Sequence, residues 1–377
     1  MHDAIVVGAR CAGAATARLL AERGHSVVMV DRARFPSDTV STHCVTVGGV
    51  TQLRRWNLLD RVLSTNVPWV PSVTLTIGPN EFKDPSGDPS LSGTVSPRRT
   101  VLDKLLIDAA VEAGAEMREG MTVRHILREN DRVVGISGRD EEGQEFEERA
   151  TIVIGADGTH STIAKLVGAA SYDERPGRGS GYYAYFSDFP PDSVELAFNK
   201  GHFTGVFPTN DGQGCVFAGK DDEAFTDFKG DVDKIHADVV STCNPRLGDS
   251  LRNAQRESRF FAFRTVPGFF RVPFGAGWAL VGDAGYHKDP VTGHGITDAF
   301  RDAELLANAV HAGLDGEPWQ DALGHYRQRR DELSRGVFET TQEIAALGWT
   351  EDSLLEIFMR FGAAVQIEAE AIAAFGP

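Results

Sequence analysis

The chain has 377 residues, 41% of them apolar and 24% charged. That balance fits one large α/β unit or two domains, and it excludes a mainly disordered, collagen-like or repeat architecture. Net charge is −16, from 38 basic against 54 acidic residues. No basic face is visible, so no nucleic-acid partner is expected. No apolar run approaches the roughly 18 residues of a membrane span, and none is expected. Met1-His2-Asp3 leads straight into an apolar run with no basic leader. A secretory signal is therefore not indicated, and the expected compartment is cytoplasmic. Cysteines stand at 11, 44, 215 and 243 without CxxC spacing, so neither a zinc ribbon nor a dithiol motif is read from them.

Residues 3–7 read as a short buried strand. Ala14, Ala17, Leu20 and Ala21 then recur at helical spacing, and residues 26–30 form a second strand ended by Asp31. The first turn of this βαβ unit is Gly8-Ala9-Arg10-Cys11-Ala12-Gly13, and Asp31 follows Gly8 by 23 positions. The pattern is that of a dinucleotide site. Gly8 permits the tight turn, and Gly13 lets the helix pack closely on the sheet. The helix N-terminus offers free N–H groups to a pyrophosphate. Ala9, Cys11 and Ala12 complete that contact, and Asp31 can accept hydrogen bonds from a ribose diol. Arg10 replaces the middle glycine of GxGxxG. Its guanidinium either contacts phosphate or points away and adds positive potential. A P-loop is excluded because Ala14-Ala15 follows Gly13.

Further along, residues 46–63 are predicted as one helix, with Val50, Leu53, Trp56 and Leu59 on one face. Residues 78–97, rich in Gly, Pro, Ser and Asp, read as a loop or excursion. Residues 102–113 carry a helical apolar stripe. Residues 133–136 and 145–149 resemble a hairpin, and 151–154 form a buried strand running into Gly155-Ala156-Asp157-Gly158. From about 170 to 275, clustered tyrosines and phenylalanines on short β-prone segments predict a mostly antiparallel sheet. Those rings either line an apolar pocket or simply form core. A strand at 278–281 runs into Gly282-Asp283-Ala284 and is followed by Pro290, Gly293 and Gly295, then by a helix over 296–312. Residues 318–377 are predicted largely helical. Their apolar residues, among them Leu354, Phe358 and Phe361, would cover either their own domain or a partner, so monomer and homodimer both stay open.

Three separated motifs now resemble one family. They are the N-terminal βαβ unit, Gly155-Ala156-Asp157-Gly158-Thr159-His160-Ser161, and Gly282-Asp283-Ala284 with Pro290-Val291-Thr292-Gly293-His294-Gly295. Together they look like the single-component FAD-dependent monooxygenases of the p-hydroxybenzoate hydroxylase type. That superfamily also holds the geranylgeranyl reductases and the flavin-dependent halogenases. The resemblance implies an α/β fold: a Rossmann-like FAD-binding domain with an inserted, mostly antiparallel β-sheet substrate domain and a C-terminal helical segment. The FAD-binding parts would be 1–75, 98–170 and 276–325, with an excursion at 76–97. The substrate domain would be 171–275 and the C-terminal helices 326–377.

The resemblance also assigns residues. Gly8 to Gly13, Asp31, Arg32 and Thr42 would lie along FAD, with Gly8, Gly13 and Asp31 at its ADP half. Arg99 would approach the ribityl and phosphate groups, with Arg98 leaving the register open by one. Val123 would lie near adenine, and Asp157 near flavin and the pyridine nucleotide. Asp283 would hold the ribityl chain, and Gly293, His294, Gly295 and Ile296 would flank the isoalloxazine. The helix starting near Gly295 would favour an anionic reduced flavin. Ala164 stands where the family has an arginine, which leaves the pyridine-nucleotide role, and NADH against NADPH, open.

The catalytic candidates are His43 and Pro290. His43 is a general base, a flavin contact or an ordinary loop histidine. His287, Lys288 and Asp289 precede Pro290 and would lie near the flavin's reactive edge. The implied reaction uses NAD(P)H and O2 to hydroxylate or epoxidise an aromatic, hydrophobic or polycyclic small molecule through a flavin C4a-hydroperoxide. The first alternative is a reductase of the geranylgeranyl reductase type. Phe203-Thr204-Gly205-Val206-Phe207-Pro208 echoes its Phe-Pro segment without the Tyr-x-Trp opening. A halogenase ranks next, its Trp-x-Trp-x-Ile-Pro signature being absent, and a non-enzymatic flavin-binding protein is the alternative of a different class. No metal site is expected, because no two histidines share a helical face with a carboxylate.

Overall fold

The apolar runs spread along the chain become neighbours in one sheet. The computed structural model describes residues 1–83, 93–189, 192–221 and 230–375. In it, His2–Val7 lies between Val27–Val30 and the second half of Glu145–Gly155, parallel to both. Trp278–Leu280 runs parallel beside Glu145–Gly155, and Glu116–Arg118 runs parallel beside Val27–Val30. Side chains on these strands alternate between two cores. Ala4, Val6, Met29, Ile152 and Ile154 pack with the helices Cys11–Ala21, Arg99–Glu112 and Gly295–Leu314. Ile5, Val7, Val28, Val30 and Val153 pack with Val133, Ile136 and Ile163. Burial on both faces explains why the strands read as continuous apolar runs.

The second sheet places Gly179–Ser187, Gly214–Asp221, His202–Pro208 and Val194–Asn199 side by side and antiparallel. Phe261–Arg264 adds to Gly179–Ser187, and Val73–Ile77 joins Val194–Asn199 in parallel. The architecture is thus the expected α/β one, with a mostly antiparallel second sheet and C-terminal helices.

Three expectations need correction. Residues 46–63 form two helices, Val47–Arg55 and Leu59–Leu63. Asn57 between them has a φ of +56°, a left-handed position that ends a helix, and asparagine tolerates it. The expected loop at 78–97 contributes Asn80–Lys83, a strand paired with Val73–Ile77, while Thr94 and Val95 bridge to Val70 and Val45. Residues 84–92 of that loop lie outside the described residues. Finally, the hairpin arm at 145–149 and the buried strand at 151–154 are one strand, Glu145–Gly155. Its first half pairs antiparallel with Arg132–Arg139 and its second half parallel with His2–Val7.

The C-terminal helices are Trp319–Ala345 and Glu351–Ala373, the latter opened by a capping box between Thr350 and Ser353. The last helix covers its own chain. Leu354 and Ile357 enter the aromatic core of the second sheet, and the Phe358 ring lies 5.2 Å from that of Phe198.

The first helix meets the sheet so closely that a β-carbon on Gly13 would lie 1.8 Å from the Gly8 carbonyl oxygen. Gly24 closes the same helix at φ +86° with nothing within 4 Å of its β-carbon position. Gly24→Ala should therefore cost only the left-handed penalty, about 1–2 kcal/mol. Gly13 lies inside the helix and carries no such penalty, but Gly13→Ala meets backbone that no rotamer relieves, and should cost more. Urea denaturation of the two apoproteins checks this order.

Candidate active site

The three motifs converge at the carboxyl ends of three adjacent parallel strands, the edge at which open α/β sheets bind ligands. Gly8 has a φ of +100°, and a β-carbon there would lie 2.4 Å from the Ala156 carbonyl oxygen. A β-carbon on Gly282 would lie 2.8 Å from that of Ala12. The Thr159 hydroxyl donates to Asp283 at 3.4 Å.

Among the described residues no side chain caps the helix Cys11–Ala21, and no acid stands in its first turn. Its leading N–H groups are thus left for an outside acceptor, and a pyrophosphate suits them. The Asp31 carboxylate accepts from the Ala9 and Ala33 N–H groups, each at 2.8 Å. Each oxygen keeps a lone pair that could take a ribose hydroxyl. The donor set fits the ADP half of FAD. Arg32 beside Asp31 is exposed, and Thr42 is half-buried.

Arg10 turns its guanidinium to Asp103 at 2.6 Å and to Ser37 and the Asp38 carbonyl. Asp103 is fully buried and also accepts from Arg99 Nε at 3.0 Å and from the Cys11 thiol at 3.3 Å. This hub ties the glycine turn to the helix Arg99–Glu112, and sequence reasoning missed it. The one available signal was an aspartate four residues after Arg99 within an apolar stripe. Arg98 and Arg99 part company: the Arg98 guanidinium lies over the Tyr185 ring, 4.0 Å from its centre.

Asp157 is engaged locally. It accepts from the Ser161 hydroxyl and from the N–H groups of Thr162 at 2.6 Å and Ile163 at 3.2 Å. With Ser161 it thereby caps the helix Thr162–Val167, and burial holds its carboxyl above the usual range. Ala164 is buried in that helix. Val123 is half-buried on the strand Thr122–Glu129, opposite Gly138.

Asp283 keeps 49% of its side chain exposed, beside His287 Nδ1 at 3.4 Å. Gly293 is left-handed at φ +66°, and among the described residues nothing lies within 4 Å of a β-carbon on Gly295. That glycine opens the helix Gly295–Leu314, whose N-terminus no side chain among the described residues caps. A negatively charged group at this open end would meet free N–H donors. Ile296 packs into the core. His294 turns its ring inward, to Glu368 at 2.5 Å and Thr46 at 3.3 Å. Lys288 is buried against Asp298, and burial draws it down to about 7. Burial pushes Asp289, beside the exposed Pro290, up to about 6.

His43 is fully buried, at φ +64°, and its Nε2 meets the Tyr185 hydroxyl at 2.6 Å. Burial, then the Arg99 and Arg98 charges, push it down to about 3, so its ring is neutral near pH 7. Its Nδ1 is buried without a partner among the described residues. Tyr185 is held above its usual range by burial and stays protonated. Nearby, Tyr183 stacks on Phe217 at 4.5 Å and Phe261 at 5.0 Å. Phe207 meets Phe217 edge-on, and a β-carbon on Gly293 would lie 3.3 Å from the Phe207 ring. The aromatic sheet therefore touches the turn before the open helix terminus.

Residues 1–260 match the model of a family described as FAD binding domain. The chain belongs to that family. It is 30% identical over 349 residues to digeranylgeranylglycerophospholipid reductase 2 of Methanopyrus kandleri, covering 88% of this chain and 82% of the relative. It is 22% identical over 344 residues to a 1H-pyrrole-2-carbonyl-[peptidyl-carrier protein] brominase of Pseudoalteromonas luteoviolacea, covering 86% and 81%. The structure of p-nitrophenol 4-monooxygenase PnpA from Pseudomonas putida superposes with a TM-score of 0.80 at 18% identity, covering 99% of this chain and 96% of that one. The chain is thus a flavin-binding enzyme of the oxidoreductase superfamily that holds monooxygenases, halogenases and reductases. No helix among the described residues is long and apolar enough to cross a membrane.

Two measurements test this site. Asp283→Ala should weaken FAD binding by about 1–3 kcal/mol, the worth of a hydrogen bond that the bound cofactor would cover. Arg10→Ala should weaken it less, because the Arg10 side chain is engaged with Asp103. Flavin titration reads both, and a reversed order would show that Arg10 holds the pyrophosphate. The second concerns pH. Unfolded His43 takes a proton near its usual pKa of about 6.5, whereas the folded residue takes one only near 3. Its contribution to stability is therefore complete above about 6.5 and falls as pH drops toward 3. His43→Gln should lose less stability than wild type across that window in acid denaturation.

Proposed function

We propose that this enzyme is a FAD-dependent monooxygenase that uses NAD(P)H and O2 to hydroxylate or epoxidise an aromatic or polycyclic small molecule. The observation that supports this most is the meeting of Phe207, from a sheet lined with tyrosines and phenylalanines, with Gly293 at the cofactor turn. An aromatic substrate on that wall would lie against the cofactor ring in a water-poor space, which protects a reactive oxygen donor from release. Bound FAD would supply the electron transfer from NAD(P)H to O2. Gly8 to Gly13 and Asp31 would hold its ADP half, and Asp283 its ribityl chain. The N–H groups at Gly295 and Ile296 would offset negative charge on its ring. His43 and Tyr185 form an uncharged pair that can hold a proton between Nε2 and the phenol oxygen beside the substrate.

A second reading is reduction of an alkene in a lipid-like substrate. The 30% identity with an archaeal lipid reductase favours it, and the same apolar wall would hold an isoprenoid chain. Turnover under labelled O2, with mass analysis of product, separates the readings. One labelled oxygen atom should enter the product, and without substrate NAD(P)H should be consumed slowly with release of hydrogen peroxide. An anaerobic product carrying two added hydrogens would establish the reductase instead. A product formed only with bromide or chloride, and carrying halogen, would establish a halogenase. A colourless protein that takes up no added FAD would overturn all three.

A further inference from the structure

The last helix, Glu351–Ala373, sends one carboxylate into the centre of the molecule. Glu368 lies 74 residues after His294 in the chain and is 1% exposed. One oxygen faces His294 Nε2 at 2.5 Å and the other pairs with Arg301. A carboxylate only accepts, so Nε2 carries the ring proton. Nδ1 is then the acceptor, and the Thr46 hydroxyl lies 3.3 Å from it. Thr46 in turn meets the Thr297 hydroxyl at 2.8 Å and donates its N–H to the same oxygen at 3.1 Å. Thr297 lies in the first turn of the helix that His294 precedes. The ring is therefore gripped on both nitrogens, and both grips lead to the start of the helix Gly295–Leu314.

The surrounding charges are already matched. Arg301 also binds Asp298 at 2.9 Å, Asp302 at 2.7 Å and the Ser334 hydroxyl at 2.8 Å, and Lys288 pairs with Asp298. His294, Asp298 and Glu368 lie close enough to share a metal ion, but Arg301 and Lys288 occupy those carboxylates. The cluster reads instead as a clamp. A buried carboxylate is expensive unless paired, and removing it leaves the His294 and Arg301 donors unmatched.

We propose that Glu368 is a positioning residue: by fixing the His294 ring, it aims the free N–H groups of Gly295 and Ile296 at the pyrimidine edge of the flavin. This rests on the reading that Gly293 to Ile296 flank the flavin ring. A donor pair held in place stabilises the anionic reduced cofactor more than a drifting pair does.

The test is the flavin midpoint potential of the full-length holoprotein, measured by spectroelectrochemistry. Glu368→Gln should still bind FAD stoichiometrically, with its potential shifted in the negative direction. His294→Asn should shift it in the same direction, and the double variant should shift no further than the larger single change. Ile372→Ala, buried on the same helix but outside the clamp, should leave the potential at the wild-type value. An unmoved potential in FAD-bound Glu368→Gln would overturn the proposal. So would an equal shift in Ile372→Ala, since general loosening of the helix would then suffice. Should Glu368→Gln fail to fold, an unmoved potential in His294→Asn decides against the proposal. Failure of the wild-type chain to bind FAD would instead defeat the functional reading beneath it.

Discussion

The contact between Gly13 and the Gly8 carbonyl sets the spacing on which the rest of the site depends. With no β-carbon at Gly13, the first helix can descend until its N-terminus sits directly above the strand ends. Gly8 in turn bends the chain closely enough to touch Ala156, and Gly282 approaches Ala12. Three turns thereby meet in one place, and two of them, at Gly8 and Gly282, need a missing side chain to do so. Any side chain there would wedge apart strands whose burial on two faces provides most of the local stability.

Charge is arranged by the same logic of proximity. Asp103 is buried between Arg10 and Arg99, which sit on different elements, so the glycine turn and the helix Arg99–Glu112 share one carboxylate. Breaking a buried pair costs about 3–5 kcal/mol because it strands a charge. Exposed pairs such as Arg34 with Glu141 are screened by solvent and contribute far less. Among the many ion pairs of this protein, the few buried ones therefore decide geometry. Those at Asp103 and at Arg301 flank the two halves of the candidate cofactor site.

The sequence made the frame legible because frame signals are local. Periods of two and near four, glycines at strand ends and Asp31 after the second strand lie within short windows. The aromatic sheet was legible as a cluster. Tyr185 was not singled out within it, because its partner His43 stands 142 residues earlier and no pattern joins them. Glu368 was invisible for the same reason: on a helix that also carries exposed glutamates such as Glu356 and Glu370, an inward carboxylate looks like any other. The helix expected over 46–63 failed at Asn57, where a left-handed residue interrupts a continuous apolar stripe. Periodicity finds faces but does not see the backbone between them.

The last helix shows what such long-range pairing achieves. Leu354 and Phe358 pack into the aromatic core that also holds Tyr183 and Phe217, and Phe358 meets Phe198. Further along, the Phe361 ring lies 6.3 Å from that of His294, and Glu368 binds it directly. One rigid helix therefore touches the wall of the second sheet and the turn before the open helix terminus. Helices resist bending, so displacement at one end is carried to the other. Phe207 makes the complementary contact from the sheet side, against Gly293. The short segment Gly293-His294 is thus held from two directions, by the aromatic sheet and by the C-terminal helix. Its backbone aim follows from both, which makes the final helix part of the site rather than a cover over it.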